Sequence, residues 1–201
     1  NIPGPCGPFA EIFIDRGSKY GKDGGPIGGG EDRFIEIWNL VFMESIQDQP
    51  FQVIDELPKK NIDTGMGLER IAMIMQDKDN LFDTDLFKPL HDALLSKITV
   101  NDNKYEKIII DHIKSSTFMI SDGVVPTNEG RGYVLRRLIR RAIRAYNQLN
   151  SSNTSLTFLI EIVIDMYASS YPELQDNKDK ILKLFIKEEE IFQKTLNKGL
   201  Q

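Results

Sequence analysis

One cysteine, two widely spaced histidines and one tryptophan are the scarcest side chains in these 201 residues. A single cysteine excludes a disulfide framework, and with His91 and His112 so far apart no local zinc-binding spacing exists. Long hydrophobic runs are also missing. The most apolar stretch, Leu156 to Ala168, carries Glu161 and Asp165 and is too short to span a bilayer, so no membrane is expected. There is no overall basic excess: 25 Lys+Arg face 30 Asp+Glu, a net charge of −5, which excludes a wholly basic nucleic-acid module. No Ser/His/Asp or Cys/His arrangement and no Gly-Lys-Ser/Thr phosphate loop is present. The chain opens Asn1-Ile2-Pro3-Gly4 without an initiator Met or signal segment and closes at Gly199-Leu200-Gln201 just after a helical pattern. It is therefore expected to be a piece of a longer protein.

What is there is a soluble globular composition, 40% hydrophobic and 27% charged. Eleven of the 15 glycines fall between Gly4 and Gly67. Short strand-like runs at Ala10 to Ile14 and Phe34 to Phe42 flank Arg16 to Arg33, which reads as a long turn or mobile loop containing Gly28-Gly29-Gly30. Phe51 to Leu57 continues as a strand, Pro58-Lys59-Lys60 punctuates, and a buried helix is predicted from about Gly67 to Gln76. From Leu81 the pattern turns helical. Helices are expected from Asp83 or Thr84 to Ser96, over Tyr105 to Ile120, Arg131 to Asn147, Leu156 to Ser170 and Lys178 to Lys198, with Gly123 to Gly132 a polar loop. The expected fold is α+β: residues 1–80 form a small antiparallel sheet with one helix, and residues 81–201 a helical domain.

Two constellations carry chemistry. On a helical wheel Leu135, Leu138, Ile139, Ala142, Ile143 and Tyr146 fill one half of the helix beginning at Arg131. Arg136, Arg137, Arg140, Arg141 and Arg144 fill the other. With Arg131 these are six of the nine arginines in 14 residues. Lys107 to Tyr146 carries +5 against −10 elsewhere. Like charges four apart repel, so the stripe calls for anionic partners. A phosphate backbone, acids on other parts of a larger protein, and a plain solvated face are the three readings; duplex or stem RNA suits the helix, since no aromatics interleave its basic face. Asn128, in Pro126-Thr127-Asn128-Glu129-Gly130-Arg131-Gly132, either reads a base edge beside those arginines or serves as a turn or cap residue.

The second constellation is Asp63-Thr64-Gly65-Met66-Gly67-Leu68-Glu69-Arg70. Gly65 and Gly67 permit close approach of a ligand, and Arg70, in the first turn of a helix, calls for an anion. Asp63 is a helix cap or the partner of a cation, and Arg70 binds a ligand or pairs with a nearby acid such as Glu69. Upstream, Glu36 and Asn39 interrupt an apolar strand. They hold a cation and a small polar ligand, or the strand is an edge with Glu36 in solvent.

Five stretches, in order, resemble the alanyl-tRNA synthetase family of class II aminoacyl-tRNA synthetases. They are Gly4-Pro5-Cys6-Gly7-Pro8, Trp38 to Met43, Asp63 to Arg70, Asp111-His112-Ile113-Lys114-Ser115 and Asn128 to Arg141. Glu188-Glu189-Glu190 through Gly199 is similar to the end of that family's helical region. The resemblance implies an ATP- and Mg²⁺-dependent ligase that forms alanyl-adenylate and transfers the alanyl group to the 3′ end of its tRNA in the cytoplasm. A non-catalytic tRNA-binding module is the alternative, and the fragment alone is expected to be inactive. By the same resemblance Asp63 binds the amino group of alanine, with Asn39, Val41 and Trp38 in the alanine pocket. Gly65, Gly67 and Arg70 belong to motif 3 and meet ATP, and Glu36 is a magnesium-binding acid. Asn128 reads the G–U pair of the acceptor stem beside the helix bearing Arg131, Arg136, Arg137, Arg140, Arg141 and Arg144. Phe9 stands where many relatives have a second cysteine, and Phe13 replaces a common His or aromatic. Motifs 1 and 2 would precede Asn1, and a zinc-bearing editing domain would follow Gln201. On this reading Asp63 and Arg70 face one cavity from opposite ends of a glycine-opened turn.

Overall fold

The computed structural model describes residues 4–28, 30, 32–150 and 154–199, so Asn1 to Pro3, Gly29, Glu31, Ser151 to Asn153 and the closing Leu200-Gln201 lie outside the described residues. The chain divides into two compact units, Asn1–Thr84 and Asp85–Gln201. The first holds strands β1 (Gly4–Cys6), β2 (Phe9–Asp15), β3 (Phe34–Gln49) and β4 (Gln52–Met66), with helices α1 (Gly25–Gly28) and α2 (Leu68–Met75). The second is helical: α3 (Lys88–Leu95), α4 (Asn103–Ser121), α5 (Gly130–Leu149), α6 (Thr157–Tyr167), α7 (Glu173–Asp176) and α8 (Lys178–Gly199). This is the expected α+β arrangement.

The sheet is antiparallel and built on β3, which pairs with β1 and β2 along one edge and with β4 along the other. Glu36 and Asn39 thus sit on the central strand, which removes the edge-strand reading. Gly7 marks the break between β1 and β2: a Cβ there would lie 1.7 Å from the Phe42 carbonyl oxygen, so only glycine fits while Phe42 N–H donates to Pro8 O.

Pro58-Lys59-Lys60 does not end the strand. β4 runs through it, because the ladder with β3 skips from Met43↔Asn61 to Ser45↔Glu56, and Pro58 falls in the unpaired bulge where its missing N–H costs nothing. For the same reason Gly65 lies inside a strand, opposite Asn39, and not in a turn.

Helix α2 is also less enclosed than its apolar sequence predicts. Met73 is its buried residue, whereas Leu68 and Met75 are exposed, and within the unit the helix packs chiefly on β3 and the Leu81–Asp83 turn. That turn, capped by the Asn80 side chain, belongs to the first unit, so the contact boundary falls after Thr84. The helix expected from Asp83 or Thr84 begins instead at Lys88. Pro89 in its first turn has no N–H to give to an earlier carbonyl.

The core of the second unit is where α4, α5, α6 and α8 meet, with Ile109, Ile113, Leu135, Ile139, Val163 and Phe185 fully buried. Asp102 caps α4 by accepting from Lys104 and Tyr105 N–H, and Glu106 reciprocates by accepting from Asp102 N–H at 2.9 Å while its other oxygen lies 2.9 Å from His91 Nε2.

The Gly-rich segment between β2 and β3 is closed at its base. Arg33 donates to both oxygens of Asp15 at 2.7 and 2.9 Å, Gly17 N–H donates to the same carboxylate, and Arg16 N–H donates to Arg33 O. These bonds fix the start of β3. They also hold the Asp15 carboxyl at about 2, chiefly through the Arg33 hydrogen bonds and then through Gly17. Because the folded value lies below the ordinary 3.8, the stabilisation is complete above the unfolded pKa and is lost as pH falls through the folded one. The thermal midpoint, followed by circular dichroism, is expected to drop between pH 3.8 and about 2, and Asp15→Asn to flatten that part of the curve.

Candidate functional site

Directly opposed residues of an antiparallel pair share a face, and the side-chain period is two. The registers Asn39↔Gly65, Val41↔Asp63 and Glu11↔Asn39 therefore put Asn39, Val41, Asp63 and Glu11 on one face around Gly65. At Gly65 a Cβ would meet nothing within 4 Å, so the glycine leaves open space beside Asn39. Asn39 Nδ2 donates to Glu11 Oε1 at 3.0 Å. Asp63 is exposed on this face and is neither a helix cap nor part of a turn. Trp38 occupies the opposite face with Leu40, Thr64 and Met66. There its Nε1–H donates to Thr64 Oγ1 at 2.6 Å, and Thr64 in turn donates to Asn39 O. Trp38 thus braces the strand from behind the face that bears Asn39.

Glu36 and Arg70 line a cavity of about 270 Å³ together with Phe13, Asp32, Phe34 and Met73. Arg70 leaves the first turn of α2, lies over Gly67 (whose Cβ would sit 3.3 Å from Arg70 Cδ) and donates from Nη1 to Glu36 O at 2.8 Å. Its guanidinium is 3.9 Å from the Glu36 carboxylate and half exposed, so the anion that a positive first-turn residue calls for is partly supplied by Glu36. Asp63 does not line this cavity. The register shift in the β2–β3 ladder, which leaves Ile37 unpaired, sets Glu36 opposite Phe13 and so on the face that Glu11 and Asn39 share, and the cavity adjoins the open face around Gly65 on that side of the sheet.

In the second unit the arginine stripe is divided. Glu188, 2% exposed on α8, faces both Arg140, whose Nε donates at 2.7 Å, and Arg136, whose Nε is 3.3 Å away but not aligned for a hydrogen bond. Arg140 also lies over the Phe192 ring. A carboxylate this buried needs such partners, and the two arginines are committed to it. Arg131, Arg137, Arg141 and Arg144 are exposed and carry no ion pair among the described residues. Arg141 and Arg144 line a groove of about 280 Å³ with Lys104, Tyr105 and Gln148. Asn128 is exposed and is not the cap of α5. Its Oδ1 accepts from Arg136 Nη1, and Arg136 Nη2 donates to Pro126 O at 3.2 Å.

The profile of the family described as tRNA synthetases class II (A) matches residues 1–201. The chain belongs to this family. It is 45% identical over 98% of its length to the alanine–tRNA ligase of Corynebacterium glutamicum (strain R) and 46% identical over 100% to that of Corynebacterium diphtheriae. It is also 44% identical over 98% to that of Mycobacterium sp. (strain KMS). It spans 23–24% of the length of these relatives.

Within this class II chain, no group of three or more His, Cys, Asp or Glu able to hold a metal occurs among the described residues, and no helix there is long and apolar enough to cross a membrane. Two site neighbours, Glu11 and Asp32, carried no signal in the pattern, and Glu188 stood in a motif that gave no hint of its arginine partners. Each reaches its place by strand pairing, loop closure or helix packing, none of which spacing reveals. Gly132 did carry one, in Gly130-Arg131-Gly132. A Cβ there would lie 2.1 Å from Thr127 Oγ1 and 2.4 Å from Val125 O, so the loop bearing Asn128 rests directly on the helix. Gly132→Ala is expected to cost about 1–3 kcal/mol of stability in denaturant unfolding, by forcing that loop off α5.

Proposed function

We propose that this chain is the part of an alanine–tRNA ligase that completes the amino-acid and ATP site and grips the acceptor stem of its tRNA. The observation that carries the reading is the side-by-side placement of Asn39 and Asp63 on one face around the open space at Gly65, within a chain 45% identical to alanine–tRNA ligases. An exposed carboxylate beside an amide suits the ammonium of a small amino acid, and Val41 offers its methyls between them. In the reaction the alanine carboxylate attacks the α-phosphorus of ATP and pyrophosphate leaves. A ribose hydroxyl at the tRNA 3′ end then attacks the alanyl carbonyl and AMP leaves. Neither step needs a side-chain nucleophile. Both need reactants held in line and charge screened, which suits a site of anchors without a triad.

The Arg70 cavity fits the nucleotide end. Its guanidinium is available to phosphate, and Gly67 lets the side chain lie close to the helix start. Magnesium is held by one or two carboxylates with substrate phosphates supplying the rest, and Glu36 and Asp32 line this cavity. Bound there, the ion would screen the phosphate charge. The exposed Arg131, Arg137, Arg141 and Arg144 contact the stem backbone, and Asn128 reads its G–U pair. The exposed Phe9, Val53, Ile54 and Ile62 of the sheet pack against the rest of the ligase polypeptide. Editing with its zinc belongs to that remainder, the compartment is the cytoplasm, and this chain alone does not aminoacylate.

In the full-length ligase, Asp63→Ala is expected to raise the alanine KM by roughly 30–150-fold, the loss of one charge-assisted bond, in alanine-dependent ATP–pyrophosphate exchange. Exchange unchanged within twofold would refute the alanine site. Asn128→Ala is expected to lower kcat/KM on a G–U stem by about 5–10-fold relative to a G–C stem. Equal losses on both stems would make Asn128 a purely structural residue.

A further inference from the structure

The Glu188-Glu189-Glu190 motif is given no part in the function described above, yet its first member is among the most buried charges of the chain. Glu188 lies on α8 and engages two residues of α5 one turn apart, Arg136 and Arg140. Arg140 is held from two sides, by the carboxylate at 2.7 Å and by the Phe192 ring, and works as a structural strut. Arg136 does something further. Its Nε end faces Glu188 while its two terminal nitrogens reach the other way, Nη1 to Asn128 Oδ1 and Nη2 to Pro126 O. One guanidinium thus links a buried acid on α8 to the side chain and backbone of the loop before α5.

The chemistry of that link fixes the Asn128 amide. A guanidinium carries donors only, so the atom facing it must be Oδ1 and not Nδ2. The guanidinium partner therefore fixes which way the amide is turned. With Oδ1 occupied, the group Asn128 can offer outward is its NH2, a donor for a carbonyl or ring-nitrogen acceptor on a base edge.

We infer that Glu188 is a positioning residue for RNA recognition: through Arg136 it holds the Asn128 amide with its oxygen turned inward and its NH2 presented to an acceptor on the stem. Glu188 touches no RNA itself, and Arg136 and Arg140 are spent inside the protein, so phosphate contacts fall to Arg131, Arg137, Arg141 and Arg144. This rests on Asn128 being the reader of the wobble pair, and the test separates the two.

In the full-length ligase, kcat/KM is measured on G–U and G–C acceptor stems for Glu188→Gln, Asn128→Ala and the double variant. Glutamine keeps the shape and one acceptor but removes the charge that anchors Arg136. Glu188→Gln is expected to lower the G–U over G–C ratio by about 3–10-fold, and to lower it no further in the Asn128→Ala background. Arg136→Lys, which keeps the charge but cannot fork to Glu188, Asn128 and Pro126 together, is expected to behave in the same way and decides the matter if Glu188→Gln fails to fold. If Asn128→Ala lowers the ratio while Glu188→Gln and Arg136→Lys lower both stems equally, the positioning role is overturned and the reader stands. If Asn128→Ala leaves the ratio unchanged, the reader and its positioning residue fall together.

Discussion

Backbone pairing along β3 is the constraint from which the first unit follows. A strand with partners on both edges has no freedom of register, and a slip of one residue would turn every side chain to the other face. That is why Asn39 and Asp63 end up adjacent although 24 positions of hairpin separate them, and why Trp38, next to Asn39 in the chain, lies behind the sheet. The Arg33–Asp15 pair secures the entry to β3, and Gly7 allows β1 and β2 to share its other edge. The geometry of the candidate alanine face is therefore a by-product of ladder hydrogen bonds and needs no contact between Asn39 and Asp63 themselves.

The second unit meets a different problem, five arginines on one helix half. Its answer is unequal treatment. Two are drawn onto a buried carboxylate, which without them would be an uncompensated charge in a low-dielectric site. The rest stay in water, where repulsion is screened at distances near the Debye length, about 8–10 Å. The result is a helix both anchored and basic. A uniform stripe would hold α5 to α8 less firmly, and a fully paired one would have little charge left for a polyanion.

Much of this was legible beforehand. Periodicity placed α4, α5, α6 and α8, because amphipathic helices of this length announce their buried side in every turn. The motifs around Asp63 and Asn128 were legible as well. The misreadings have physical causes. Pro58 looks like a terminator unless the bulge opposite Met43 and Ser45 is known. Asp83 and Thr84 look like caps unless Pro89 is given its N–H accounting. An all-apolar α2 looks buried, but burial depends on what lies over it, and here Leu68 and Met75 are uncovered. Strict alternation puts Glu36 behind the sheet with Trp38, and only the register shift at Ile37 turns it to the face of Asn39.

Sequence by itself determined the local things: which segments coil, which extend, where glycine is required, and that one helix is charged on one side only. These depend on neighbours within about four positions, the reach of backbone hydrogen bonds and helical periodicity. Only the tertiary structure decided which charges are available. Glu188 meets Arg140 across 48 residues of chain, and nothing in the spacing of either helix marks Arg136 and Arg140 off from Arg137 and Arg141. Burial on α8 makes that distinction, because a desolvated carboxylate takes the nearest guanidiniums and leaves those beyond its reach to the solvent.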